Sequence, residues 1–442
     1  MSSSASSQSA IAGNSEVDRT NEELSYQQLI LLAAMIGIAG GLVATIYYYS
    51  LELSLDIIWK SVPEFLQLRF ASEFLAKNYI WIATTIGGFL VGLTLYFLGL
   101  PGEVAFVVDK VHDPGHIEIR QTPAMLIASL FSIAFGGSAG PEAPLVQVNG
   151  SFGGWLGQKL KLTAKSIRVM TFCGMSAALG AFFGAPLGGA LFALEIPHRR
   201  GLEYYEALIP AVLSAILSFC VFRLNTGLTI GGIYHFTAIP KLSLINLVEG
   251  ALLGGIGALI ALLFVLLFRA IGHLSEYAAN RRILLATLGG LSIGLIAYFF
   301  PQTLFFGEKE IETIVETGAT FGVTMLVAIA VAKMLAISCT LHSGFRGGFI
   351  FPLFYIGAAI GLAIALAFPQ IHPTIGMVCL MAAVNVAVTK TPISTSVILS
   401  VLSDTAMLPV IVIASFVSFL LTTQLSLIQT QRSRALNLTV VE

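Results

Sequence analysis

The stretch Phe135-Gly136-Gly137-Ser138-Ala139-Gly140-Pro141-Glu142-Ala143-Pro144-Leu145-Val146-Gln147-Val148-Asn149-Gly150 decides how the rest of the sequence is interpreted. It lies between apolar segments and combines glycines and prolines with one carboxylate, Glu142. Glycine allows close backbone approach, and proline suits the first turn of a helix because it lacks an N–H. The pattern predicts a helix that begins inside the membrane, with N-terminal amides that face an anion or Glu142 itself. The alternative is a glycine-rich loop from which Glu142 reaches the headgroups.

The composition indicates an integral membrane protein. Of the 442 residues, 56% are hydrophobic and 11% are charged, and the mean hydropathy is +0.88. A soluble domain carries about 25% charged residues. The net charge is -1 and no stretch is basic, so no nucleic-acid partner is expected. The four cysteines lie far apart in apolar runs, and their spacing indicates no metal site. No other cofactor is expected.

The apolar runs are of two kinds. Several contain about 20 residues, which is enough to span a bilayer. The runs 122–136 and 375–388 are shorter or interrupted by glycine and proline. Such segments are typical of discontinuous membrane helices, whose broken backbone lines a cavity. The sequence therefore predicts an all-α, multi-pass protein of a cell or inner membrane with half-membrane helices.

The chain also contains an internal repeat. Gly140-Pro141-Glu142-Ala143-Pro144-Leu145 corresponds to Gly348-Phe349-Ile350-Phe351-Pro352-Leu353, and a second proline at a helix start follows each about forty residues later. Duplicated halves with broken helices at matching positions predict a site between them near the middle of the membrane. The expected organisation, in chain order, is a polar tail 1–26, a first repeat 27–222, a linker 223–244, a second repeat 245–430 and a short tail 431–442.

Clusters of basic residues suggest which ends lie in the cytoplasm. These are His198-Arg199-Arg200, Arg281-Arg282, and Arg432 with Arg434. Basic residues near membrane helices favour the cytoplasmic side, so we expect both termini to be cytoplasmic.

Four segments in the same order resemble the CLC family of chloride channels and proton/chloride exchangers. Gly140–Pro144 resembles that family's Gly-x-Glu-x-Pro signature, and Gly347–Pro352 is similar to its Gly-x-Phe-x-Pro signature. The segment 183–195 looks like its Asn-Ala-Pro-Leu helix, and 391–404 resembles a further conserved segment.

This resemblance implies an inverted-repeat fold, and a homodimer in a lipid bilayer with one pore in each subunit. It implies that chloride or another small monovalent anion passes, and that the Glu142 carboxylate is a gate that occupies an anion site until it is protonated or displaced. A structural helix cap is the alternative role of Glu142. The anion-binding residues that the resemblance implies are Pro101, Gly102, Gly140, Pro141, Ala143, Gly348, Phe349 and Ile350.

One departure from the family concerns selectivity. Pro101 falls where the family has a serine that contacts the central anion, and it is similar to plant members that prefer nitrate. Chloride and nitrate therefore both remain open, and a fluoride-selective relative of the family is a separate alternative. Glu103 would lie in the first turn of the following helix and is expected to cap it.

Two further departures concern proton coupling. Ile196 falls where the exchangers have an inner glutamate, and Glu195, one residue away, is the candidate for a proton path. No tyrosine follows Tyr355 to form the family's inner gate, although a hydroxyl near Thr430 could substitute. These differences favour a channel over a proton/anion exchanger, which is the alternative. No nucleophile and base occur together in a membrane segment, so an intramembrane enzyme is not expected.

Two basic residues lie in or beside membrane segments. Arg346 directly precedes the second signature, where a fixed cation would draw anions to a pore mouth. The alternative is an interfacial arginine that reaches the headgroups. Lys333 lies inside an apolar run and is expected to have a structural partner within the bundle.

Overall fold

The computed structural model describes residues 24–70, 73–228, 234–237 and 242–432. The predicted tails 1–26 and 431–442 therefore lie almost entirely outside the described residues. The described part of the chain contains no β-strand, and its α-helices are α1 (Tyr26–Asp56), α2 (Val62–Phe70), α3 (Glu73–Leu98), α4 (Val104–His112), α5 (Thr122–Ala134), α6 (Glu142–Lys159), α7 (Ala164–Phe183), α8 (Pro186–Glu195), α9 (Leu208–Thr226), α10 (Leu244–Glu276), α11 (Arg282–Phe299), α12 (Glu308–Thr317), α13 (Gly322–His342), α14 (Ile350–Ala367), α15 (Pro373–Thr389), α16 (Pro392–Leu402) and α17 (Leu408–Leu421).

Eight helical segments within these residues are long and apolar enough to cross a membrane. The longest is Tyr26–Arg69, in which a π-helical turn at Ile57–Ser61 joins α1 to α2. Other helices are much shorter, and the eleven residues of α16 extend only about 16 Å, roughly half of a 30 Å hydrocarbon core. The predicted all-α, multi-pass architecture with half-membrane helices is confirmed.

The helix order occurs twice, as the internal repeat predicted. The helices α1 and α3–α9 have counterparts, in the same order, in α10–α17. The second helix start of each half is also repeated, because proline is the first residue of both α8 and α16. The two halves meet through α3 with α11 and through α8 with α16.

Glycine allows the same close helix contact in both halves. In the first, α1 crosses α9 at Gly37, where an added Cβ would lie 2.4 Å from the carbonyl oxygen of Ser214. In the second, α10 crosses α17 at Gly254, where an added Cβ would lie 2.7 Å from that of Ala414. Small residues are what membrane helices need for such approach.

Two of the three basic clusters lie beside each other. The backbone N–H of Arg199 donates to the carbonyl oxygen of Arg432 (3.0 Å), so the end of the described chain runs beside the segment that follows α8. The Arg269 side chain, near the end of α10, donates to the carbonyl oxygen of Ser426 (3.0 Å). Arg281 and Arg282 follow α10 along the chain. The assignment of these basic clusters to the cytoplasm stays a prediction, and Arg434 lies outside the described residues.

Candidate functional site

The two signature loops meet through a pair of backbone hydrogen bonds. The N–H of Gly140 donates to the carbonyl oxygen of Gly348 (2.8 Å), and the N–H of Gly348 donates back to Gly140 (2.6 Å). This antiparallel bridge joins equivalent positions of the two repeats. The helices α6 and α14 begin two residues after it, at Glu142 and Ile350. The predicted helix start in the opening stretch is confirmed.

Glu142 lies at the N-terminus of α14, although it belongs to α6. Its carboxylate Oε1 accepts a hydrogen bond from the N–H of Ile350 (3.0 Å). The side chain is 1% exposed, and Oε2 has no hydrogen-bond partner among the described residues. A helix N-terminus carries roughly half a positive charge and is a general anion site. The Glu142 carboxylate therefore occupies a position that suits a small anion.

Glycine at both bridge positions makes room for this carboxylate. An added Cβ on Gly348 would lie 2.4 Å from the carboxyl carbon of Glu142, and one on Gly140 would lie 1.9 Å from Oε2. No larger residue fits at either position while Glu142 keeps its place.

A cavity of about 40 Å³, here called the Glu142 cavity, lies beside the carboxylate. Among the described residues, Glu142 is the only titratable side chain that lines it. The other lining residues are Val104, Val107, Val108, Ala143, Val146, Met175, Leu179, Phe192, Ile196, Gly348, Phe349 and Ile350. The cavity is thus apolar except for one carboxylate and the backbone at the second signature.

A second cavity of about 100 Å³ adjoins the first and is here called the Arg346 cavity. The two share lining residues, including Val104, Ala143 and Phe349. Arg346 is 5% exposed, and its Nη1 lies 2.7 Å from Oε1 of Glu103, which also lines the cavity. Arg346 is therefore an inward-facing cation of the protein and does not reach toward headgroups.

A third cavity of about 360 Å³ lies on the other side of the first signature and is here called the Lys309 vestibule. Pro141, the neighbour of Glu142, lines it together with Tyr47, Arg223 and Lys309. Successive residues of the first signature thus line different cavities: Pro141 lines the Lys309 vestibule, Glu142 lines the Glu142 cavity, and Ala143 lines both the Glu142 cavity and the Arg346 cavity.

The expected set of amide donors needs correction. The N–H of Gly140 donates to the carbonyl oxygen of Gly348 and the N–H of Gly348 donates to that of Gly140, and Pro141 has no N–H, so these three residues cannot donate to an anion as arranged. The N–H of Gly102 donates to Oε1 of Gln121 (3.0 Å), and the adjacent Pro101, which lacks an N–H, does not line any of the three cavities. The amides of Gly140 and Gly348 were expected to be free, but the two loops lie close enough to pair through their backbones.

Three other expected residues keep their place beside the carboxylate. Ala143 and Phe349 line both the Glu142 cavity and the Arg346 cavity. The amide of Ile350 is the donor that Glu142 now occupies. These are the amide positions at which an anion could replace the side chain.

Glu195 is placed at a different helix start. Its carboxylate accepts hydrogen bonds from the N–H of Ile393 (3.1 Å), the N–H of Ser394 (2.8 Å) and the Ser394 hydroxyl (2.5 Å). It therefore caps α16, as Glu142 caps α14. Glu195 does not line the Glu142 cavity, whereas Ile196 does.

Two expected side-chain roles differ in the structure. Glu103 is the N-cap residue of α4, but its side chain makes no capping hydrogen bond and reaches Arg346 instead. The Thr430 hydroxyl donates to the carbonyl oxygen of Ala105 (2.7 Å) and so is not free in the pathway. Leu427 and Ile428 line the Arg346 cavity in its neighbourhood.

Lys333 is structural, as expected. It is fully buried, and its Nζ donates to the carbonyl oxygens of Thr303 (3.1 Å), Leu304 (3.3 Å) and Phe305 (2.8 Å). No group of three or more side chains that could hold a metal ion occurs among the described residues.

The comparison with protein families decides the family. The family model described as voltage gated chloride channel matches residues 87–423 of this chain. This protein belongs to the voltage gated chloride channel family. The match includes both signature loops, α4, Glu195 and Arg346.

Two curated relatives show how far the similarity to family members extends. A chloride/fluoride channel protein of Pseudomonas syringae pv. tomato is 37% identical over 142 residues, which are 31% of this chain and 31% of that protein. A putative chloride channel protein, ClcB-like, of Ralstonia nicotianae is 27% identical over 285 residues, which are 62% of this chain and 64% of that protein. The matched part of the chain thus spans about a third of the first relative and just under two thirds of the second.

Solved structures of family members have the same fold. A CLC-type fluoride/proton antiporter superposes with a TM-score of 0.76 at 21% identity, covering 93% of this chain and 100% of that one. A slow cyanobacterial Cl⁻/H⁺ antiporter superposes with a TM-score of 0.77 at 18% identity, covering 91% and 96%. The predicted CLC-like inverted-repeat fold is confirmed.

Sequence reasoning missed the ion pair of Glu103 with Arg346 and the glutamines beside it. Gln121 and Gln147 are within 3.5 Å of each other, and Gln147 lines the Arg346 cavity. The available signal was that Gln147 and Asn149 are polar residues in the helix that follows the first signature, and polar residues within a membrane protein's interior mark function or internal pairing.

Proposed function

We propose that this protein conducts chloride or a similar small monovalent anion across the membrane, and that Glu142 gates it. The observation that carries this proposal is the position of the Glu142 carboxylate. It lies buried on the N-terminus of α14 and lines the Glu142 cavity, while the chain neighbour Pro141 lines the Lys309 vestibule. Membership of the voltage gated chloride channel family supports the choice of an anion.

The physical mechanism is competition between a side chain and the passing ion. An anion in a pore needs compensation for lost water, yet it must be able to leave. Amide partial charges at a helix start meet both needs better than a full positive charge. An ionised Glu142 accepts the hydrogen bond from the N–H of Ile350 and so blocks the ion. Protonation removes the negative charge of the side chain, so the carboxyl group competes less well with an anion for this N–H. Flux should therefore increase as the pH falls.

The surroundings of Glu142 favour a channel over an exchanger. An exchanger needs a route by which a proton reaches the gate from the far side. Within the described residues, no titratable side chain other than Glu142 lines the Glu142 cavity. Ile196, which aligns with the inner glutamate of the exchangers, lines this cavity and cannot carry a proton. Glu195 is held at α16 by three hydrogen bonds. Anion movement without obligatory proton movement is thus the expected behaviour.

Two alternatives are each favoured by one finding. Proton-coupled exchange is favoured because two structures with this fold are described as antiporters. Fluoride as a substrate is favoured because the Pseudomonas syringae relative is described as a chloride/fluoride channel protein. Nitrate remains a candidate through Pro101 alone.

Reconstituted flux tests all of these. Purified protein in liposomes should release chloride down its gradient, while a proton electrode or pH dye detects no stoichiometric proton movement. The same vesicles loaded with nitrate or fluoride give the selectivity. Uphill proton movement driven by an anion gradient would contradict the channel and support the exchanger, and release no faster than from empty liposomes would overturn the proposal.

The quaternary structure is a separate proposal. The family resemblance predicts a homodimer with one pathway in each subunit. Light scattering of the detergent-solubilised protein should give the mass of two chains of 47.0 kDa, and a mass of one chain would contradict the dimer.

A further inference from the structure

We propose that Glu103 and Arg346 form a second gate, which opens when an anion takes the place of the Glu103 carboxylate on Arg346. This inference rests on the proposed function, since it assumes that anions enter the Arg346 cavity. It concerns the end of the pathway opposite the Lys309 vestibule. There the sequence lacks the expected tyrosine, and the apolar Leu427 and Ile428 line the cavity.

The two partners of the ion pair differ in how firmly they are held. Arg346 belongs to the loop that the Gly140–Gly348 bridge fixes, and its neighbour Phe345 is fully buried. Arg346 itself is 5% exposed, whereas the Glu103 side chain is 66% exposed. Glu103 can therefore swing toward solvent at little cost, while Arg346 stays. The carboxylate is the moving part of this gate.

The cavity already contains polar atoms without partners. Nε of Arg346 and Oε1 of Gln147 are buried, and neither has a hydrogen-bond partner among the described residues. Both residues line the cavity of about 100 Å³. A single water needs only about 10–15 Å³ of such volume, so a small anion with water fits there. Nε–H and the released Nη1–H of Arg346 would both be donors to that anion.

Competition explains why a full positive charge does not trap the ion. A buried arginine without a counterion is strongly unfavourable, so Arg346 needs a negative partner at all times. Glu103 supplies it when the cavity holds no anion, and the anion supplies it otherwise. Each exchange replaces one negative charge by another, and the returning carboxylate displaces the ion. The net affinity of the cavity is thereby kept low enough for release.

This second gate differs in chemistry from the one at Glu142. Glu142 competes for backbone amides, which are partial charges, whereas Glu103 competes for a guanidinium. Opening of the second gate should therefore depend on the anion concentration, because an anion must replace the Glu103 carboxylate on Arg346.

The test is a double-mutant cycle read by chloride binding and by flux. Calorimetric titration of purified protein with chloride should show binding about tenfold tighter in Glu103→Gln, because the competing charge is lost. Arg346→Gln should bind chloride about tenfold more weakly for loss of the cation. In the Arg346→Gln background, Glu103→Gln should have no further effect.

The matched control is the exposed ion pair of Lys60 with Asp56, whose Nζ and Oδ1 are 2.5 Å apart and which lines none of the three cavities. Asp56→Asn should leave chloride affinity unchanged. If Arg346→Gln does not fold, Arg346→Lys keeps the charge, and the tightening by Glu103→Gln should persist in it. Loss of the tightening there would overturn the inference.

Three further outcomes overturn the second gate. Glu103→Gln could leave chloride binding unchanged, it could act equally with and without the Arg346 charge, or Asp56→Asn could have the same effect. If any of these occurs while Glu142→Gln makes anion flux independent of pH, only the second gate fails. If wild-type liposomes release no anion, the proposed function fails, and this inference with it.

Discussion

Glu142 and Ile350 occupy equivalent positions in the two repeats, and the carboxylate of the first accepts a hydrogen bond from the backbone N–H of the second. The bonds between Gly140 and Gly348 join another equivalent pair. The sequence separation is the same for both pairs, so the contact lies on the approximate symmetry axis of the repeat. Because the first half has Glu142 at this position and the second half has Ile350, only one carboxylate of this pair lies at the axis, and no second carboxylate repels it.

Replacing Glu142 by glutamine should remove the pH dependence of flux. The wild-type protein should conduct more as the pH falls, since the ratio of ionised to protonated carboxyl changes about tenfold per pH unit. In Glu142→Gln the side chain is neutral at every pH, so anion efflux from liposomes should be high and flat. Glu64→Gln, at an exposed position of α2, is the control and should keep the wild-type profile. A Glu142→Gln profile that matches the wild type would exclude this residue as the gate.

Replacing Gly348 by alanine should displace the Glu142 side chain while leaving its carboxylate unchanged. A Cβ at this position would lie 2.4 Å from the Glu142 carboxyl carbon, so Gly348→Ala should displace the side chain and raise flux at neutral pH. Overpacking of this kind costs about 1–3 kcal/mol of unfolding free energy. Gly255→Ala is the control, because the nearest atom to its added Cβ is 3.8 Å away. Unchanged flux in a folded Gly348→Ala protein would show that Glu142 does not close the path.

Glu195→Gln separates a structural role from a role in proton transfer. Glutamine retains one acceptor oxygen but sets an NH₂ group against the donors of Ile393 and Ser394. We expect a loss of about 1–3 kcal/mol of unfolding free energy, measured by thermal unfolding in detergent. The ratio of proton to anion movement in liposomes should not change. A change in that ratio would return Glu195 to a proton path.

Lys333→Met should destabilise the protein without altering selectivity. The substitution keeps the length of the side chain but leaves three buried carbonyl oxygens unpaired. The expected cost is about 3 kcal/mol, seen as a lower midpoint of thermal unfolding. Lys60→Met is the control, since Lys60 is exposed and its ion pair with Asp56 is a surface pair. An unchanged midpoint for Lys333→Met would contradict the structural role.

The architecture could be predicted from sequence because its determinants are local. Proline and glycine fix where α6, α8 and α16 begin, and apolar length separates full spans from half spans. The recurrence of these signals then gives the repeat and the meeting of Glu142 with the segment 348–350. None of this required knowledge of side-chain direction.

The side-chain partners could not be predicted, because they depend on packing between distant segments. Glu103 was expected at its own helix N-terminus, but Arg346, 243 residues away, is within reach and offers a full charge. Glu195 lies in the last turn of α8, where that helix's own dipole disfavours an acid. Such a misplaced acid is a signal that another helix start is nearby, and α16 supplies it.

Glu142 and Glu195 both belong to the first half, and both neutralise helix starts of the second. Without the first half, the starts of α14 and α16 would lose these two carboxylates, and without the second half, the two acids would lose their donors. Although the helix order repeats, the two halves are therefore chemically unlike, and each needs the other to satisfy its polar groups.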